Sequence, residues 1–417
     1  MPFMQSRKQT QRKADMDIAV IGGGASGLMA AIAAKNRDTR VTIYERGARV
    51  GRKILATGNG RCNMTNMMAN EGNYYGKEPS FTRGAIRRFW VRETLDLFSE
   101  LGVLWKEERD GKVYPYSDTA SSVLDVLRRR VDMLGIITQC SCDVKAVRKN
   151  GNRFVITFYG GRTENADRVI LATGGRAAPS LGSAGGGYPI LESFGHRITE
   201  LAPSLVQIKT DADMVRPLKG IKLNARLTIG GKSETGEVLF TDYGLSGPPV
   251  FSLSAVLGRN SYAELDIMPE YSFEDVLTML KARCAYLINI ELAEYFTGML
   301  NKRVGQAVLK AAGAAPLSRI ASELTERELK RIASVIKAWR FDIRGTMSWN
   351  NAQVTKGGAV TAQFDPSTMQ SRLVKGLFAC GELLDIDGDC GGYNLQWAWS
   401  SGYLAGAAAG SVKHEGR

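Results

Sequence analysis

The stretch Asp17-Ile18-Ala19-Val20-Ile21-Gly22-Gly23-Gly24-Ala25-Ser26-Gly27 decides how this chain folds. An apolar, β-branched run ends in three glycines, and an Ala/Leu/Met-rich segment, Leu28 to Lys35, follows. That order reads as strand, tight turn, helix. Gly22, Gly24 and Gly27 fill the glycine positions of G-x-G-x-x-G. The first allows the turn, the second lets a pyrophosphate approach the backbone, and the third lets helix and strand pack closely. Gly23, Ala25 and Ser26 complete the loop. Its free N–H groups and the helix dipole favour phosphate. A second strand, Val41-Thr42-Ile43-Tyr44-Glu45, ends in an acid 18 residues past Gly27, suited to accept hydrogen bonds from both hydroxyls of a ribose. The expectation is a dinucleotide site on a Rossmann-type parallel sheet.

A chain of 417 residues exceeds one ordinary core, so two or three domains are expected. Hydrophobic content of 44% and charged content of 23% are globular values. The net charge is +13, but the basic residues are scattered: Arg83, Arg87, Arg88 and Arg92, then Arg128 to Arg130, then Lys302-Arg303. Without a basic tract interleaved with aromatics, a nucleic-acid partner is not the leading expectation, and an anionic cofactor with a solvated basic surface accounts for the charge as well. Six cysteines without a C-x-x-C pair, and two histidines, His196 and His414, argue against a zinc site. Sparse cysteines suit a reducing cytoplasm. No apolar stretch is long enough to span a bilayer. Met1 to Ala14 is polar and basic, without the apolar core of a secretory signal, and a disordered tail is expected there.

After Glu45, residues 46–66 read as a long polar, glycine-rich loop of functional type. Arg52, Lys53 and Arg61 offer cations to phosphate, and Asn59, Asn63 and Thr65 offer amides and a hydroxyl. Phe81 to Leu101 has the apolar period of one amphipathic helix, and a further helix begins at Asp118-Thr119-Ala120-Ser121. Strands are expected at 135–138, 144–147 and 153–158, with a Lys149-Asn150-Gly151-Asn152 turn before the last. Cys140 and Cys142 fall in this region at strand spacing, as buried packing residues on one face. After Arg168, the apolar run Val169 to Leu171 reads as a central strand running into Ala172-Thr173-Gly174-Gly175. The glycine loop 182–188 lacks a leading strand and is read as a border of the substrate site. Short alternating segments between 205 and 267 suggest a small barrel or sandwich. Residues 273–336 look helical, broken at Gly298, near Gly305 and at Pro316. Gly376 to Glu382 repeats the buried strand ending in glycine and acid, and the loop 385–396 runs into an Ala/Trp helix. Ligand-type loops therefore close three separate strands. NAD needs mainly the first; an extended FAD accounts for all three, with its flavin end at the last helix N-terminus.

The chain resembles the YhiN/BaiN-type flavoproteins, which include aminoacetone-oxidase-like FAD enzymes. The matching motifs are Gly-Gly-Gly-Ala-Ser-Gly at 22–27, Thr-Gly-Asn-Gly-Arg-Cys-Asn at 57–63, Leu-Ala-Thr-Gly-Gly at 171–175, Gly-Leu-Ser-Gly-Pro at 244–248, Val-Thr-Lys-Gly-Gly at 354–358 and Gly-Gly-Tyr-Asn-Leu-Gln at 391–396. The resemblance implies an α/β fold: a two-part glutathione-reductase-like FAD domain with an inserted β-barrel and a small helical subdomain. The expected divisions are a tail at 1–15, FAD-binding parts at 16–195 and 346–417, a barrel at 196–270, a helical cap at 271–336 and a return strand at 337–345. By matched motif, the implied FAD contacts are Gly22, Gly23, Gly24, Ala25, Ser26, Gly27, Glu45, Arg46, Lys53, Asn59, Gly60, Arg61, Cys62, Asn63, Val144, Ala172, Thr173, Gly174, Gly381, Glu382, Gly391, Gly392, Tyr393, Asn394 and Gln396. One departure stands out: many relatives carry His where this chain has Asp242.

Flavin chemistry needs placement and electrostatics from the protein. No Ser-His-Asp or Cys-His set is present to suggest another mechanism. Tyr393, Asp387 and Glu382 are the candidate proton carriers, and Cys62 with Cys390 is a candidate redox pair. The leading expectation is an FAD-dependent oxidoreductase acting on a small molecule, with transient NAD(P)H or oxygen as redox partner. A flavin-dependent RNA-modifying enzyme and a non-catalytic FAD-binding protein are the alternatives.

Overall fold

In a computed structural model that describes residues 16–257 and 262–411, the opening stretch forms strand β1 (Met16–Ile21) and helix α1 (Ala25–Ala34). The expected tail at 1–15, and His414, lie outside the described residues. Strand β2 (Thr39–Tyr44) follows, then helix α2 (Ala120–Met133) and strands β3 (Ile137–Gln139), β4 (Arg168–Leu171) and β5 (Leu377–Ala379). These strands form one parallel sheet in the order β5-β4-β1-β2-β3. Ile18, Val20, Val41, Ile43, Val169 and Ile170 are buried, as a sheet covered on both faces requires.

The contacts divide the chain into two units, one reaching Ala202 and resuming at Thr355, the other Pro203–Val354; the expected insertion was 196–345. The first unit ends in helix α3 (Tyr393–Gly410), which packs along α1 at very short range. Side chains on Gly402, Gly406 and Gly410 would collide with the backbones of Ser26, Ala30 and Ala34 respectively. Small residues recur every fourth position on both helices, so each turn of one meets a turn of the other. The pairs advance together, so α1 and α3 run parallel. This close crossing, rather than a ligand, accounts for the small residues at Gly402 and Gly406.

In the second unit, seven strands form one antiparallel sheet whose edge strands are Trp339–Asp342 and Gly345–Thr346. Only Ile343 and Arg344 connect those two edges. Three peptide links reach about 11 Å at most, so the sheet must curl round until its edges are neighbours, as a barrel does. Helices Phe273–Tyr286 and Glu326–Lys337 each begin with a capping box, from Ser272 with Asp275 and from Thr325 with Glu328. Gly305 does not break a helix. It lies inside Lys302–Ala311, where a Cβ would strike Phe296, so glycine serves close packing.

Three other expectations need correction. Residues 46–66 are not a plain loop: Arg52–Ala56 is helical, started by Gly51 at φ 79°, and Thr65–Asn66 pairs as a strand with residues 112–113. Phe81 to Leu101 is two helices, Arg83–Ile86 and Val91–Glu100. Phe89 turns inward to stack on Tyr403, and the Trp90 N–H donates to the Glu93 carboxylate at 2.9 Å, restarting the helix there. Cys140 and Cys142 are half-buried and lie outside the strands, because Ser141 takes φ 56° and ends the extended run.

Candidate functional site

Backbone register aligns the strand ends. Ile21 lies opposite Leu171 and Tyr44, and Leu171 opposite Ala379. The segments beginning at Cys380, Ala172, Gly22 and Glu45 therefore start at one level. With strands about 4.8 Å apart they form a row about 15 Å long. Ligands in open α/β sheets sit beyond such a row.

Steric contacts show how closely these loops are joined. Gly22 takes φ 104°, and a Cβ there would collide with the Ala172 carbonyl oxygen. A Cβ on Gly27 would collide with the Gly22 carbonyl oxygen. One on Gly381 (φ 70°) would come within 2.5 Å of the Ser26 hydroxyl oxygen. Gly24 differs from these: it begins α1, has no side-chain cap, and a Cβ there would meet nothing within 4 Å. The helix start thus offers uncapped N–H groups beside open space, an arrangement suited to an anion. Ala25 is half-buried in the first turn.

Glu45 is oriented by two backbone donors. Gly23 N–H donates to its Oε2 at 2.8 Å and Gly47 N–H to its Oε1 at 2.7 Å. Each oxygen keeps a lone pair for a further donor. Arg46 lies 3.7 Å from the Asp143 carboxylate, one residue before Val144, which opens the strand Val144–Asn150. Lys53 donates to Glu382 Oε2 at 2.8 Å and to the Ala177 carbonyl at 3.2 Å. Glu382 Oε1 accepts Thr355 N–H at 2.9 Å, and the Thr355 hydroxyl accepts N–H of Arg176 and Ala177 at 2.8 and 3.0 Å. This network ties the 52–56 helix to the loops following β4 and β5. Thr173 and Gly174 are covered from behind by the glycine loop: a Cβ on Gly187 would collide with the Thr173 hydroxyl, and Gly185 N–H donates to Gly175 at 2.9 Å.

Other expected contacts have different surroundings. Arg61 is not an open cation. It pairs with Glu108 and Asp118 and lies 4.0 Å over the Tyr114 ring. Asn59 and Gly60 are exposed, both at positive φ (55° and 84°). Cys62 is buried, and burial pushes its thiol up to about 12. Cys62 and Cys390 are both thiols, and no disulfide joins them. Asn63 is buried, and its carbonyl oxygen, beside Gly392, has no partner among the described residues. Asp242 forms an exposed 2.8 Å ion pair with Lys219, which holds its carboxyl below the usual carboxylate range.

The start of α3 carries the remaining expected contacts. Gly391 and Gly392 take φ 128° and 105°, and no side chain caps the helix. Tyr393 is buried against Tyr74, whose hydroxyl donates to the Tyr393 carbonyl at 3.0 Å. The Asn394 side chain clamps its own loop, accepting Gly388 N–H at 2.9 Å and donating to the Gly388 carbonyl at 2.8 Å. Gln396 is fully buried and satisfied by Thr65, Thr94 and Ser400, which fixes helix position rather than presenting an amide. Because Gly402 sits level with Ser26, the start of α3 projects about 12 Å past that of α1. Two parallel helix N-termini thus point the same way, offset along their axes.

Two further groups are set apart by their surroundings. Asp387 is 1% exposed, and neither of its oxygens has a hydrogen-bond partner among the described residues. Burial pushes its carboxyl up to about 7; Lys356 opposes this, and Asp385, Glu382 and Asp389 add to it. Asp387 stood among the candidate proton carriers, but nothing in its spacing distinguishes it from Glu382, whose oxygens are both bonded. Tyr188, at the end of the glycine loop, is buried, its hydroxyl has no partner among the described residues, and burial raises its phenol. Its only sequence signal is the glycine run before it.

The family described as HI0933-like protein Rossmann domain matches residues 16–408. A 3-dehydro-bile acid delta(4,6)-reductase of Clostridium scindens is 39% identical over 413 residues, covering 94% of this chain and 98% of that protein. A ribosomal RNA dihydrouridine synthase of Escherichia coli is 31% identical over 391 residues, covering 93% of this chain and 96% of that protein. Among solved structures, a Rhodococcus jostii 3-ketosteroid-delta4-(5alpha)-dehydrogenase superposes with a TM-score of 0.48 at 15% identity, covering 97% of this chain and 99% of that one.

Proposed function

The chain belongs to the HI0933-like Rossmann family, and from that premise we propose that it is an FAD-dependent oxidoreductase that adds hydrogen across a ring carbon–carbon double bond conjugated to a carbonyl. One observation carries the cofactor reading: two parallel, uncapped helix N-termini about 12 Å apart in level, joined by a row of strand-end loops. A short ligand would use one end of that row; an extended dinucleotide uses both. The residues fit FAD. The open space at Gly24, the oriented Glu45 carboxylate and the unpartnered Asn63 oxygen each await a ligand group.

In this reading the N–H groups at Gly24 to Gly27 hold the pyrophosphate and Glu45 takes the adenosine ribose. Ala172 to Gly174 and Gly381 approach the middle of the cofactor through backbone. Lys53 and Glu382 fix each other and so set the loop that borders it. Gly391 to Tyr393 and the α3 N-terminus bind the pyrimidine edge of the ring and favour negative charge there. FAD, when bound, supplies hydride transfer. The names of the two relatives support the substrate class, since both reactions saturate a ring double bond.

The test is the absorbance spectrum of purified protein, then anaerobic mixing with NADH or NADPH and a 3-oxo-4,6-diene steroid. Flavin bleaching by a nicotinamide and recovery on adding the dienone are expected. A protein with no flavin band after incubation with FAD would refute the reading.

A second reading, a flavin-dependent RNA-modifying enzyme, is favoured by the +13 charge and by the name of the Escherichia coli relative. RNA retained at low salt and lost steeply with added salt supports it; no retention at low salt removes it.

A further inference from the structure

Asp387 stands apart from the acids around it. Glu382 binds Lys53 and Thr355 N–H, Asp385 accepts Lys77 N–H at 3.2 Å, and Asp389 accepts the Tyr75 hydroxyl at 2.7 Å and the Asn73 amide at 3.0 Å. Both oxygens of Asp387 are bare of such bonds among the described residues, though the residue is 1% exposed. Its backbone is fixed on two sides. Asp387–Gly388 pairs antiparallel with Tyr74–Tyr75, and Asn394, in the first turn of α3, clamps Gly388. The carboxyl is thereby held near the helix start that the proposed function assigns to the flavin.

A buried acid without donors sheds its charge rather than staying ionised. Among its charged neighbours, Lys356 favours the anion, whereas Asp385, Glu382 and Asp389 disfavour it. The neutral form has what the α3 N-terminus already has, a donor, and adds an acceptor beside it. A flavin ring presents both carbonyl oxygens and ring nitrogens.

We propose that Asp387 contacts the cofactor, donating a hydrogen bond as a neutral carboxylic acid to a carbonyl oxygen or ring nitrogen of the flavin. This rests on the FAD reading above. No bond is made or broken covalently; the proton stays on Asp387. FAD binding is then linked to protonation. Where Asp387 is ionised in the free protein, each FAD bound brings a proton with it, and the dissociation constant rises about tenfold per pH unit above that ionisation.

The experiment is calorimetric titration of FAD into the FAD-free full chain at pH 7.5, in two buffers of different ionisation enthalpy, with dissociation constants measured from pH 6 to 8.5. Wild type is expected to take up most of one proton per FAD. Asp387→Asn keeps a donor and should bind at pH 6 within about threefold of wild type, with no uptake at any pH. Asp387→Ala should bind about tenfold or more weakly at pH 6. Proton uptake absent from wild type, or unchanged in Asp387→Asn, overturns the proposal. If a variant fails to fold, the two-buffer comparison on wild type decides alone. The two levels separate cleanly: no FAD binding by wild type refutes the FAD reading and this proposal with it, whereas binding without uptake refutes the Asp387 role only.

Discussion

Replacing Asp387 with asparagine should change how stability depends on pH before any cofactor binds. An aspartate ordinarily titrates near about 3.9 in an unfolded chain. Burial pushes the native Asp387 carboxyl up to about 7. The folded protein therefore binds this proton more tightly than the unfolded one. Between about pH 4 and pH 7 the native state carries more protons, and stability falls as pH rises through that window. At about 1.4 kcal/mol per pH unit the full contribution is about 4 kcal/mol of stability, present below the window and lost above it. Asparagine has nearly the same shape and no charge to bury. The stability of Asp387→Asn relative to wild type should therefore climb by about 2–4 kcal/mol between pH 4.5 and 7.5, then level off. Carboxylates common to both proteins largely cancel in the difference. Hydrogen exchange of the α3 amides, at several pH values without FAD, reads the unit that holds Asp387 by itself. Parallel stability curves would refute the reasoning, because they would mean that the carboxyl is solvated or partnered. A gap that widens toward acid would also refute it, since it would mean a lowered rather than raised native titration.

Other outcomes follow from packing at single positions. Gly24→Val should leave FAD-free stability nearly unchanged, since the position faces open space, but lower FAD affinity at least about a hundredfold by filling the α1 start; thermal melting with and without FAD separates the two effects. Gly406→Ala should destabilise by about 1–2 kcal/mol in urea although alanine is the better helix former, because its methyl would meet the Ala30 backbone; a neutral or stabilising result would contradict the crossing described for α1 and α3. Cys62 should resist thiol reagents at pH 8 in the native protein and react fully once unfolded, since burial keeps its thiol protonated up to about 12. Rapid native labelling at Cys62 would show that the loop 57–63 opens.

The local parts of the fold were legible where one physical cause dominates. The β-branched run into Gly22, the apolar Val169–Leu171 run and the Asn150-Gly151 turn state their structures through periodicity and turn chemistry. Reading failed where distant contacts override local pattern. The period from Phe81 to Leu101 suits one helix, yet Phe89 turns in to reach Tyr403, more than 300 residues along the chain. Arg61 reads as a phosphate ligand by its loop, yet Glu108 and Asp118 occupy its guanidinium. Gly305 reads as a break, yet it is a site of close approach to Phe296.

By itself the sequence determined that a glycine turn closes a parallel strand, that an acid ends the next strand, and that two later strands end in loops of the same type. Those are short-range matters of sterics and hydrogen bonding, encoded within a few residues. Tertiary structure decided which strands are neighbours, how far α3 projects past α1, and which of several acids is left without a partner. The reason is that strand order, helix offset and the satisfaction of a buried group depend on segments hundreds of residues apart. Asp387 and Glu382 are chemically alike in the sequence, and only packing makes one a satisfied anion and the other a bare, buried acid.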